Sequence, residues 1–205
     1  MEPRERILLR ANELFNRFGF RRVTMDEIAL KAGMSKKTIY QSFATKDEIV
    51  SAIIEDHISK SANRCQSDRG TAQNAIHEIF LNIDMIQEHF SEMNPMILDD
   101  LEKYFPAVFI KLYKHKNDFI LRMVKANLER GISEGLYREE INMDILSKLR
   151  IATMFIPFDQ EIFPFSKYKL MEVEREMLEH FLYGIATTQG HKLIKKYKQQ
   201  RLHLN

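Results

Sequence analysis

An all-α fold in two parts is predicted, a small N-terminal domain over residues 1–50 and a larger helical domain over residues 51–205. Three observations predict it. Apolar residues recur three and four apart along most of the chain, alternating strand-like runs are almost absent, and two short segments near the N-terminus each carry an N-terminal cap and meet at a glycine. With 205 residues and a mass of 24.3 kDa, the chain is long enough to bury roughly 70% of its unfolded surface.

The elements follow in order. Pro3 suits a first helical turn, and Ile7, Leu8, Ala11, Leu14, Phe15 and Phe18 recur at helical spacing until Gly19 ends the helix. Thr24 and Glu27 have the capping-box spacing, so a second helix starts there. Ile28 and Ala29 give it an inward face, and Gly33 sits where a left-handed residue closes a helix. Ser35 caps the next helix, which Ile39 and Phe43 anchor from one side. Its outer side carries Lys36, Lys37, Thr38, Tyr40 and Gln41, all hydrogen-bond donors and none acidic. Two caps, a glycine turn and a second helix that is basic outside and apolar inside describe a helix-turn-helix whose second helix enters the DNA major groove. Thr45 with Glu48 repeats the capping box and places Lys46 in the first turn of the following helix.

The run VTMDEIALKAGMSKKTIYQSFATKDEIV resembles the N-terminal signature of TetR-type transcriptional regulators. The shared pattern comprises the T-x-x-x-I-A start, the A-G-x-S turn, T-I-Y in the recognition helix, F one turn on, and K-x-E-I-V opening the fourth helix. Lys37 stands where that family often has a small residue. The resemblance implies a homodimer on a palindromic operator in double-stranded DNA, and most often a repressor released by a small molecule.

Beyond residue 50, Ile53, Ile54 and Ile58 continue the helix that opens at Thr45, and the aperiodic stretch from Cys65 to Thr71 is expected to be a loop. Ile76, Ile79, Phe80, Ile83 and Ile86 mark another helix, and Asn94 with Pro95 starts a short one. Phe105 and Pro106 open a long helix expected to end near Gly131 or Gly135. Further helices are expected over about Met143 to Phe155 and Lys167 to Thr188, with a short amphipathic helix in the basic tail from His191.

Side-chain chemistry sorts the DNA roles. Thr24, Thr38, Tyr40 and Lys46 are expected to grip phosphates, which sets register, whereas Lys36, Lys37 and Gln41 are placed to read bases. Specific affinity normally needs two half-sites, so the chain should dimerise. Leu149, Ala152, Val173, Met177, Phe181, Gly184 and Ile185 on the last two long helices are the interface candidates, paired as a four-helix bundle. The Met- and Phe-rich middle suits a pocket for a hydrophobic effector. From sequence alone ordinary core packing is the stronger reading of each such residue; the resemblance implies that some line an effector cavity, the candidates being Phe109, Phe119, Met123, Met154 and Phe158, with Asp84, Lys116 and Asn127 as polar handles.

Charge and composition agree with this division. Residues 1–50 sum to +3, residues 51–188 to −6 and residues 189–205 to +5, which suits a polyanion partner at one end. Cys65 is the single cysteine and the chain has no run of ~18 apolar residues, so a cytoplasmic protein without a membrane partner is expected. No catalytic motif stands out; no enzyme activity, metal or cofactor is expected. Two rival readings remain at this level, an architectural or cell-cycle DNA-binding protein of the same fold without an effector, and an all-α enzyme or carrier.

Overall fold

The computed structural model describes residues 2–90 and 93–202, except for the side chains of residues 89, 90 and 202. Eleven α-helices appear among them. They are α1 (Pro3–Phe18), α2 (Met25–Ala32), α3 (Lys36–Ser42), α4 (Lys46–Thr71), α5 (Ala75–Phe90), α6 (Ile97–Tyr104), α7 (Pro106–His115), α8 (Leu121–Ser133), α9 (Met143–Thr153), α10 (Leu170–Ile185) and α11 (Thr188–Leu202). No β-strand forms among the described residues, although Tyr137 and Ala186 make an isolated antiparallel bridge. The all-α expectation therefore holds.

The chain divides into two compact units that are not consecutive in sequence. One comprises Met1–Ser61 and Glu92–Lys114; the other comprises Ala62–Ser91 and His115–Asn205. In the first, Ile7, Ala11, Phe15, Ile28, Ile39, Ile49 and Val50 form a buried core that also takes in Ile97, Leu101, Phe105 and Val108. Phe20 ties the two stretches together, with its ring 4.8 Å from that of Phe15 and 6.0 Å from that of Phe105. Residues 93–114 thus belong with the N-terminal helices, whereas the sequence alone assigns everything beyond residue 50 to the larger domain.

The second unit has its own core of Ile76, Phe80, Leu128, Tyr137, Leu178, Leu182 and Ile194. A polar network runs through it. The buried Tyr137 hydroxyl donates to Asn127 Oδ1 at 3.1 Å, and Asn127 Nδ2 donates to the Ala75 carbonyl at 3.0 Å. Beside them Arg130 donates to Glu78 at 3.2 Å, to Glu134 at 2.7 Å and to the Ala72 carbonyl at 2.8 Å. Burial pushes the Glu78 carboxyl above its ordinary range, and Arg130 offsets part of that.

Two expectations are corrected. The stretch from Cys65 to Thr71 is helical, not a loop. Its inward positions are Cys65 and Asp68, both buried, and Asp68 is held by Arg64 one turn earlier at 2.9 Å, so the helix carries no apolar stripe there for periodicity to detect. The long helix opened by Pro106 also differs, because it widens to a π-helical turn over Lys116–Ile120 before α8 resumes. The tail expectation is met by α11, whose Ile194 and Tyr197 are buried.

Gly19 has φ +81° and ψ 164°, and a Cβ there would lie 2.8 Å from Asp100 Oδ2. Gly19→Ala is expected to cost about 1–3 kcal/mol and to lower Tm by several degrees in thermal unfolding. By contrast, Gly70→Ala, inside α4 with open space around it, is expected to stabilise by about 0.5–1 kcal/mol. Tyr137→Phe leaves the buried Asn127 oxygen without its donor, and the same measurement should show a loss of about 1–3 kcal/mol.

Candidate nucleic-acid interface

The helix-turn-helix is fixed at each joint by a side chain or a glycine. Thr24 and Glu27 close the capping box, the Thr24 amide donating to Glu27 Oε2 at 2.7 Å and the Glu27 amide to Thr24 Oγ1 at 3.2 Å. Donation from the Thr24 amide, and from the Thr24 hydroxyl, holds the Glu27 carboxyl below its ordinary range. Gly33 is left-handed at φ +63°, and the Met34 amide closes the turn on the Ala29 carbonyl at 3.0 Å. Ser35 Oγ then accepts from the Thr38 amide at 3.1 Å and starts α3. Ile39 and Phe43 are buried, which leaves the opposite side of α3 in solvent.

The seven residues expected to meet DNA occupy different states. Lys37, Tyr40 and Gln41 are exposed on α3 with no side-chain hydrogen bond or ion pair among the described residues. Lys36 is also exposed, paired with Asp26 at 2.5 Å, which raises its pKa. Both members of that pair are well solvated, so it contributes little to stability and a competing acceptor can take the ammonium. Thr38 shares its hydroxyl with Ser35 at 2.9 Å, and the Thr24 hydroxyl donates to Glu27 at 2.9 Å. Lys46 is half-buried; its ammonium bonds the Val23 carbonyl at 2.8 Å and the Arg21 carbonyl at 3.3 Å, and burial lowers its pKa.

Around these, α1 adds Arg4 over the Phe43 ring at 4.8 Å and Arg10 paired with Glu13 at 2.6 Å. Sequence reasoning passes over Arg21 and Arg22. The signal for them is a consecutive basic pair just ahead of the Thr24 cap. Neither guanidinium forms an ion pair among the described residues, and together they flank a pocket of about 400 Å³ lined also by Phe18, Asn94, Met96 and Asp100.

The effector candidates are divided between the two units. Phe109 packs against the core of the first; the remainder belong to the second. There Lys116 is only 6% exposed and lies over the Phe155 ring at 4.6 Å, with Phe158 set edge-on to the same ring at 6.4 Å. Phe119 stacks on His115 at 5.1 Å, and Met123 and Met154 are half-buried. Asn127 is occupied by the Tyr137 network, and Asp84 is paired with Arg201 of α11.

Of the interface candidates, Leu149 is 49% exposed, Ala152 and Gly184 are exposed, and Met177 and Phe181 are half-buried. Ile145, one turn before Leu149, is 61% exposed, so α9 presents an uncovered apolar stripe. Val173 and Ile185 are buried in their own unit. Among the described residues no group of three His, Cys, Asp or Glu side chains is arranged to hold a metal ion, and no helix is long and apolar enough to cross a membrane.

Comparison with known proteins bears on the same residues. Residues 7–53 match the family described as bacterial regulatory proteins, tetR family. Over 192 residues the chain is 21% identical to the HTH-type transcriptional repressor KstR2 of Mycolicibacterium smegmatis, covering 92% of this chain and 93% of that protein. A transcriptional regulator from Saccharomonospora viridis, solved in complex with choline, superposes with a TM-score of 0.73 at 19% identity, over 90% of this chain and 97% of that one. The transcriptional regulator FadR from Bacillus subtilis, solved in complex with stearoyl-CoA, gives a TM-score of 0.64 at 18% identity, over 88% of this chain and 98% of the other. The family match thus lies at the helix-turn-helix itself, and the fold shared with these solved regulators continues over the rest of the chain.

Proposed function

We propose that the chain acts as a homodimeric repressor that reads a palindromic operator and leaves it when a small hydrophobic effector binds. The observation that carries this reading is α3, where Lys37, Tyr40 and Gln41 project free donors from a helix whose own geometry is set by the Ser35 cap and the buried Ile39. Lys and Gln are the side chains suited to guanine and adenine edges, and Tyr40 and Thr38 supply hydroxyls for phosphates. Lys46 contributes mainly by holding the Arg21–Val23 backbone.

The uncovered stripe Ile145–Leu149–Ala152 supports dimerisation through α9, joined by the exposed end of α10 at Gly184. Effector binding is supported by the aromatic and thioether side chains around the π-helical turn and by the buried Lys116 ammonium. Choline and stearoyl-CoA, the ligands in two of the neighbouring structures, are chemically unlike, so the class of effector rests on this chain's own lining. We further propose that the signal travels along α4, whose residues belong to both units, and changes the spacing of the two recognition helices. The protein works in the cytoplasm and catalyses no reaction.

Binding to DNA from upstream of its own gene, followed by fluorescence anisotropy, checks the DNA roles. Lys37→Ala and Gln41→Ala are each expected to cost about 1–3 kcal/mol at the preferred site with little change on unrelated sequences, whereas Tyr40→Phe should weaken all sequences alike. Equal losses on every sequence in all three variants would remove the base-reading assignment, and absence of DNA binding by the unmodified protein would remove the regulator reading itself. For the dimer, Ile145→Asp/Leu149→Asp should sediment as a helical monomer, while Val173→Ala should stay dimeric and melt earlier. A dimer that survives the double substitution places the interface elsewhere.

A further inference from the structure

The pocket beside the α1–α2 loop is lined by Arg21 and Arg22, whose guanidinium groups have no ion-pair partner among the described residues. Arg22 lies over the Phe18 ring at 5.3 Å, Arg17 over the same ring at 5.1 Å, and Arg21 over Tyr104 at 5.1 Å. A guanidinium held over an aromatic ring still has N–H donors for bidentate capture of an oxyanion. None of the three forms an ion pair among the described residues. Asp100 is the carboxylate in the lining, and it is already committed, since Oδ2 accepts the Arg21 amide at 2.9 Å and the Lys46 ammonium lies within its electrostatic reach. Asn94 is held with its Oδ1 on the Met96 amide at 2.9 Å and its Nδ2 3.5 Å from the Arg17 carbonyl. Like charges brought together at an open pocket repel one another unless an anion joins them.

We propose that this pocket binds a phosphate group through Arg21 and Arg22. The group comes either from the DNA backbone outside the half-site or from a free phosphate-bearing small molecule. In both cases it bears on the loop that leads into the Thr24 cap of α2, so occupancy stiffens the helix-turn-helix. The DNA source rests on the regulator reading above; the free-phosphate source does not.

The test compares the full-length protein with an Arg21→Gln/Arg22→Gln variant and a charge-matched Lys167→Gln/Arg175→Gln variant. Inorganic phosphate and pyrophosphate are titrated at constant ionic strength while Tm is followed, and the salt dependence of DNA binding is measured separately. The unmodified and charge-matched proteins should gain stability with phosphate while the pocket variant does not. A slope of log Kobs against log salt shallower by about 1–2 in the pocket variant alone, on any DNA sequence, assigns the occupant to the DNA backbone. An unchanged slope with loss of the phosphate response assigns it to a free ligand. Equal behaviour of the pocket and charge-matched variants in both arms overturns the proposal. If the pocket variant fails to fold, Arg22→Gln alone, which removes one guanidinium and leaves Arg21 in place, replaces it, and a full phosphate response and full slope in that variant overturn the proposal equally. Failure of the unmodified protein to bind DNA would sink the regulator reading while leaving the phosphate titration to decide the pocket.

Discussion

The segment from Gly19 to Val23 belongs to no helix, and the geometry of the DNA-reading part depends on how its backbone is satisfied. Buried or half-buried peptide groups without partners are costly, and here side chains from two other helices supply the partners. Lys46 of α4 donates to the Arg21 and Val23 carbonyls, and Asp100 of α6 accepts from the Arg21 amide. The clasp also explains Gly19, since any side chain at that position would occupy the space of the Asp100 carboxylate. Because Thr24, the cap of α2, follows directly on the clasped segment, the direction of that helix is set by a lysine and an aspartate that lie far from it in sequence. A charged group used in this way is a structural member first; its remaining hydrogen-bonding capacity is what is left for a nucleic acid.

The recognition helix shows the same dependence on its surroundings. Seven residues are too few to hold a helix in water, and α3 persists because Ser35 caps one end and Ile39 and Phe43 are buried beneath it. Burying two side chains of that size stabilises by about 1.5–3 kcal/mol each, more than the helix would lose by fraying. The outer donors therefore stand on a backbone that does not have to be ordered when DNA arrives. Lys36 differs from its neighbours, because its exposed pair with Asp26 is weak enough to exchange for a stronger acceptor.

Local chemistry made much of this legible in the sequence. Thr24, Gly33 and Ser35 act as the cap and turn residues that their types and spacing indicate, and Gly19 ends α1. The parts that were not legible depend on distant partners. Nothing in the run from Asn94 to Phe105 announces that it packs on the N-terminal helices, because the residues that receive it, such as Phe20, are more than seventy positions away. The helix through Cys65 and Asp68 was hidden because its inward face is a thiol and an ion-paired carboxylate. Lys46 looks the same in sequence whether it meets a phosphate or two carbonyls, and Asn127 looks the same whether it faces a ligand or the Tyr137 hydroxyl.

Net charge by segment misleads for a related reason. The last seventeen residues sum to +5, which invites a reading as a basic arm, yet Lys198 is paired with Glu179 at 2.5 Å and Arg201 with Asp84, the latter also lying over Phe80 at 4.7 Å. Those cations are spent inside the second unit, holding α11 against its core alongside Tyr197, whose hydroxyl accepts from Asn74 at 2.9 Å. The first fifty residues sum only to +3, but Lys37, Arg17, Arg21 and Arg22 are all exposed there with no ion-pair partner among the described residues. A polyanion responds to cations that are accessible and unneutralised, not to a segment's total. Lys192, Lys195 and Lys196 of α11 also stay exposed without an ion pair among the described residues, so what distinguishes the first fifty residues is that their unpaired cations share a unit with the recognition helix.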